Sequence, residues 1–199
     1  MLEMIRGCYV PEADKLKEEY KVDEFYITAN VNASKIEEIF QHFIAMQNER
    51  MFFILELPTN EEEEKLLRKS NYDPMHKDIY YIDGLFNEQA LFLLMNYGEL
   101  LIHDGMCNFG FGVHDGSAEI MLEKYNIMTI WTNNMDKYSD FFDVHDIHIA
   151  DNYISAWDTF TIKSAGECTS IEINDISVYD LPEKLKKSGI YFAERREDA

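Results

Sequence analysis

Apolar residues recur along this chain at two different periods, and the change from one to the other organises it. Ile36, Ile39, Phe40, Phe43 and Ile44 follow the three-and-four spacing of one helical face, with Asn32 or Ser34 placed to cap it. Met51 to Leu57 is apolar apart from Glu56 and reads as a strand, stopped by Pro58. Thr59 or Asn60 then caps a second helix. Glu61 to Glu64 fill its first turn, where carboxylates favour the positive end of the helix dipole, so the run is expected to be a solvated helix start. Asp78 to Ile82 reads as a strand ended by Asp83-Gly84. A helix capped by Asn87 runs through Ala90, Leu91, Leu94 and Met95 to a stop at Gly98.

From Leu100 to Thr132 the period falls to two, predicting an antiparallel meander. Leu100 to His103 forms its first strand, and Asp104-Gly105 is a two-residue hairpin signal because glycine tolerates positive φ. Cys107, Phe109, Phe111 and Val113 then point one way, and Asn108, Gly110, Gly112 and His114 the other, as a sheet with one buried face requires. Asp115-Gly116 makes the next turn, Glu119 to Glu123 a strand, Lys124-Tyr125-Asn126 a turn and Ile127 to Trp131 the last strand. Beyond it, Met135 to Val144 reads as a helix resting on Tyr138, Phe141 and Phe142. Strands are expected around Tyr153 to Ile162 and Ser170 to Ile173, a helix over Leu181 to Lys187 ending at Gly189, and an edge strand at Ile190 to Phe192.

The first twenty residues are polar and charged and read as a short helix or an irregular peripheral arm. No Gly/Ser-rich linker divides the chain, so residues 1–199 are expected to form a single α+β domain, a central antiparallel β-meander packed by several helices.

Charge changes the picture most. Eighteen Lys and Arg stand against 38 Asp and Glu, a net −20. Between Asp78 and Ile162 the only basic residues are Lys124 and Lys137, against 14 acidic ones. Such a field repels phosphate backbones, which argues against direct nucleic-acid binding. It attracts a cationic partner and speeds the encounter. Cys8, Cys107 and Cys168 are an odd number, far apart and without the short spacing of a zinc or redox motif, which suggests free thiols in a reducing compartment. No apolar stretch has the length of a signal peptide or a membrane span. A cytoplasmic protein without membrane attachment is therefore expected.

Catalytic signatures are missing. Asp140 to His148 gathers three aspartates and two histidines within nine residues, and Asp143, His145 and His148 could serve zinc, manganese or iron in a small metal-dependent hydrolase. The spacing matches no His-Glu-x-x-His helix, so a helix end and polar loop is the simpler reading. His-Asp-Gly occurs twice, at His103 to Gly105 and His114 to Gly116, in both cases where a hairpin is expected to turn. Asn108 to Gly112 lacks the setting of a nucleotide loop; its glycines suggest close approach by a backbone or an aromatic ring. Cys107 has no base beside it in sequence.

These observations favour a protein without catalytic activity or cofactor that sequesters a basic protein, as a bacterial immunity protein neutralises a cognate toxin. Asp136, Asp140, Asp143, Asp146, Asp151 and Asp158 are the acidic residues expected to meet that partner. The metal-dependent hydrolase built on the Asp140 to Asp151 region is the alternative.

Overall fold

The computed structural model describes residues 2–198. Short strands open the chain: β1 (Cys8–Tyr9), β2 (Glu19–Val22) and β3 (Tyr26–Asn30). Helix α1 (Ile36–Ala45) follows, then β4 (Met51–Pro58), α2 (Glu61–Leu67), β5 (Met75–Leu85) and the long α3 (Asn87–His103). Next come β6 (Asn108–Val113), β7 (Ala118–Glu123) and β8 (Ile127–Thr132). The remaining elements are β9 (His148–Ile149), α4 (Ala156–Thr159), β10 (Glu167–Cys168), α5 (Leu181–Lys184) and β11 (Tyr191–Asp198).

Among the described residues these strands form a nine-stranded sheet in the order β11-β5-β4-β6-β7-β8-β3-β2-β9 and a separate two-stranded pair, β1-β10. Within the large sheet β2 runs parallel to β9, and the other neighbours pair antiparallel. The fold is thus mixed α and β, as expected, but it is more than a helix-packed meander. β6, β7 and β8 are only the centre of a much wider sheet, and helices do not dominate. Among the described residues no helix is long and apolar enough to cross a membrane.

Helices α1 and α3 cover one face of the sheet. Ile36, Ile39, Phe40, Phe43 and Ile44 are all buried, and the Phe40 ring lies 4.8 Å from Phe109 and 5.8 Å from Phe111. Phe53 meets the same two rings from β4. Burying these side chains supplies the main favourable free energy of the fold. Neither Asn32 nor Ser34 caps α1 through its side chain. At the other end of α1, the Asn87 side chain donates to the carbonyls of Ile44 and Gln47. Asn87 therefore closes α1 instead of capping its own helix.

Several expectations are overturned. Leu100 to His103 is the last turn of α3 and not a strand, because Gly98 sits inside the helix without a positive φ, with Leu94 against it. An interior glycine costs only about 1 kcal/mol relative to alanine, and burial of Leu100, Leu101 and Ile102 outweighs that. Asp104-Gly105 is consequently no hairpin. Met135 to Val144 breaks into two 3₁₀ turns, Met135–Tyr138 and Asp143–His145, although Tyr138, Phe141 and Phe142 are buried as expected. Around Tyr153 to Ile162 the chain forms the short helix α4, and Ser170 to Ile173 forms no strand. Nor are the first twenty residues a peripheral arm: Leu2, Ile5, Val10 and Leu16 are buried, and β2 enters the large sheet.

Candidate functional site

Strand pairing sorts the side chains of the large sheet between two faces. Residues paired directly across a ladder share a face, so Phe109 with Leu122 and Phe111 with Ile120 define the side packed by helices. The opposite side carries Phe52, Ile54 and Glu56 from β4, Tyr81 from β5, Gly110 and Gly112 from β6, and Glu119, Met121 and Glu123 from β7. Thr129 and Trp131 of β8 and Tyr26 and Thr28 of β3 continue it.

The glycines of β6 shape this face, as the close approach expected there requires. A Cβ on Gly112 would run into the Phe52 ring, and one on Gly110 into the Ile120 carbonyl and the Met121 sulfur. The end of the Phe52 ring therefore lies over Gly112 of β6, and the ring meets Tyr81 and His114 edge-on, at 5.6 and 5.8 Å.

Into this aromatic surface the sheet sets three carboxylates. Glu119 pairs across the ladder with Trp131 on one side and Gly112, beneath Phe52, on the other. Partial burial pushes its pKa up, and Glu56 pushes the same way. Glu123 is also raised by burial, although a hydrogen bond from Thr129 opposes the shift. The two cations that act to lower these pKa values already hold other carboxylates. Arg196 is paired with Glu194, and Lys77 lies 2.8 Å from Glu56. Beside Glu123 a cavity of about 430 Å³ is lined by Lys21, Tyr153, Trp157 and Asp158, among others. Glu56 is thus neutralised by Lys77, whereas Glu119 and Glu123 have no ion pair of their own among the described residues.

The six aspartates singled out from the sequence do not form one patch. Asp158 lines that cavity on the uncovered face, where it also caps α4 by accepting from the Ser155 amide and hydroxyl. Those two bonds hold its pKa below the usual carboxylate value. Asp143 turns to the helix side and accepts from the Tyr20 hydroxyl at 2.9 Å. Burial and this bond push the Tyr20 pKa up to about 12, with Asp140 adding to the shift. Asp136, Asp140, Asp146 and Asp151 are exposed along the segment between β8 and α4.

Of the possible metal ligands, Asp143 and His148 meet at 3.2 Å, while His145 turns away into the protein. Among the described residues no three His, Cys, Asp or Glu side chains are grouped so that they could hold a metal ion. The two His-Asp-Gly triplets serve separate backbone contacts. His103 accepts from the Arg6 amide and His114 from the Gly84 amide. The four-glutamate run is only partly solvated: Glu64 is buried against His76, and Glu63 pairs with Arg195 of β11, which also holds Asp78.

His145 gives the segment a pH response. Its Nε2 lies 2.9 Å from Nδ1 of His42, whose ring stacks on Phe141. Burial lowers the His145 pKa, with His42 and Lys35 adding to the effect and Glu38 opposing it. The folded chain therefore binds fewer protons than the unfolded one between the ordinary value of 6.5 and the lower native value. Its contribution to stability is full above that window and is lost as pH falls through it. Unfolding measured at about pH 7.5 and pH 5.5 is expected to show a larger acid loss for the native sequence than for His145→Asn. Equal losses would refute the assignment.

Glu56, Glu119 and Glu123 were not singled out from the sequence. The signal was present, since Ala118 to Glu123 alternates and puts both of its glutamates opposite Ile120 and Leu122. Reading that alternation for its polar face would have found the pair. Comparison with protein-family models, with curated proteins and with solved structures finds no match for this chain.

Proposed function

We propose that this chain is a binding protein without catalytic activity that takes a basic protein partner on the uncovered face of its sheet, as an immunity protein takes a toxin. The observation that carries the reading is the trio Glu56, Glu119 and Glu123. Glu56 is already paired with Lys77, but Glu119 and Glu123 are raised in pKa, have no ion pair among the described residues, and share their face with Phe52, Tyr81, Trp131 and Tyr26. A lysine or arginine placed there would supply the missing counter-charge, and the flat aromatic groups around it would exclude water, which is the make-up of a binding hot spot. The net charge of −20 would draw such a partner in from a distance. Asp158 would stand at the rim of this surface, and Asp136, Asp140, Asp143, Asp146 and Asp151 would act as steering charges.

The test is capture from the chain's own cells on tagged native protein, followed by association kinetics with the purified partner at rising salt. The partner is expected to be basic, and its on-rate is expected to fall as screening shortens the reach of the field to about 8 Å at physiological ionic strength. Changing Glu119 and Glu123 together to glutamine is expected to cost about 2–5 kcal/mol of affinity, mainly through faster dissociation. Changing Glu61 and Glu62 to glutamine removes the same charge from exposed positions and is expected to alter only the on-rate, slightly. Equal effects of the two pairs, or an acidic partner, would overturn the reading.

A further inference from the structure

Two of the three thiols, 160 residues apart in sequence, meet in the small β1-β10 ladder. Cys8 and Cys168 are direct partners in its register, and their sulfurs lie 3.3 Å apart. The Thr169 amide donates to the Gly7 carbonyl, so the neighbouring pair, Gly7 with Thr169, is the hydrogen-bonded one. Cys8 and Cys168 thus occupy the non-hydrogen-bonded position, where facing side chains come closest.

The backbones around them cannot slip. Gly7 donates to the His103 carbonyl and Gly105 to the Thr169 carbonyl, and a Cβ at either glycine would collide with backbone atoms of the facing segments. The thiols are therefore held opposite each other by three chain segments at closest approach. Disulfide closure needs the sulfurs to draw in to about 2.05 Å with a Cβ–S–S–Cβ dihedral of about ±90°.

We propose that Cys8 and Cys168 are a reversible oxidation site, closing to an intrachain disulfide by exchange with low-molecular-weight disulfides such as oxidised glutathione. Cys168 is the attacking group. It is half-buried, whereas Cys8 is buried. The hydrogen bond from Cys8, then that from Tyr125 and the charge of Lys124, bring its pKa down to about 7 against the opposing effect of burial. Its thiolate attacks one sulfur of the external disulfide, forming a mixed disulfide and expelling one glutathione thiolate. Cys8 then gives up its proton to that thiolate and attacks the Cys168 sulfur, forming the Cys8–Cys168 bond and expelling the second glutathione thiolate, which takes a proton from solvent. The protein loses two electrons and two protons, and one glutathione disulfide becomes two thiols. Cys107 takes no part, because it is buried and desolvation pushes its thiol well up.

The full chain is incubated with oxidised glutathione, trapped by alkylation and mapped as peptides without reduction. The expected product links the Cys8 peptide to the Cys168 peptide, with Cys107 alkylated only after denaturation. Cys8→Ser should keep glutathione on Cys168, Cys168→Ser should stay unmodified at Cys8, and Cys107→Ser should behave as the native chain. Should a serine variant fail to fold, the native chain still decides, because its oxidised form should melt at a higher temperature than its reduced form. A stable glutathione adduct on native Cys168, a bond to Cys107, or free thiols throughout would overturn the proposal.

Discussion

Replacing Phe109 by alanine is expected to remove about 3–5 kcal/mol of stability, the range for a fully buried aromatic ring. Phe109 has no exposed surface and sits where three elements converge: Phe40 of α1 at 4.8 Å, Phe53 of β4 at 6.3 Å and Leu122 across the ladder. Its removal strips the centre of the sheet of its contact with α1, and the flanking β4 and β7 backbones are hydrogen-bonded to β6, which limits how far the space can collapse. Phe109→Leu keeps much of the volume and should lose less than half as much. Chemical denaturation at neutral pH measures both. A loss below about 1 kcal/mol for Phe109→Ala would show that the buried face of β6 has been assigned the wrong way round.

Replacing Asp104 by alanine should cost at least about 3 kcal/mol, because a single buried carboxylate holds four donors. Its Oδ1 accepts from the Met106 and Cys107 amides, and its Oδ2 from the Ser170 hydroxyl and the Ile171 amide. These bonds turn the chain from the end of α3 into β6 and tie the 170–171 segment to that corner. Alanine leaves all four donors without this acceptor. Asparagine is a sharper probe, since its NH₂ group would face one pair of donors, and it should recover little of the loss. An Asp104→Asn variant as stable as the native chain would mean that those donors find water instead. Thermal unfolding of the two variants side by side separates the cases.

Asp104-Gly105 and Asp115-Gly116 carry the same local signal and have different outcomes. Gly116 adopts φ 71° and turns β6 back into β7, as the dipeptide predicts. Gly105 has no positive φ; it is pressed against Gly7 because two distant segments need its missing side chain. Local chemistry alone does not separate the two. Leu100 to Ile102 is similarly ambiguous: three consecutive buried apolar residues suit a strand as well as a buried helix end. The candidate site was legible only in part. The alternation of β6 and the crowding at its glycines could be read directly, but the convergence of Glu56 with Glu119 and Glu123 needed β4, β6 and β7 laid side by side. The aspartates after β8 stood out because they cluster in sequence, and folding sends Asp143 and Asp158 to different sides of the sheet.

By itself the sequence determined the elements whose periodicity is long and whose burial is one-sided. These are α1 with its five buried residues and the alternating strands from β6 to β8. For these, the free energy of burying one face outweighs competing local preferences, so the pattern and the outcome coincide. Only the tertiary structure decided the length of α3, the width of the sheet, the separation of the acidic residues and the meeting of Cys8 with Cys168. Each of these depends on contacts between segments far apart in the chain, and whether an apolar run becomes helix or strand, or an aspartate surface charge or buried acceptor, is settled by the surfaces those segments bring to it.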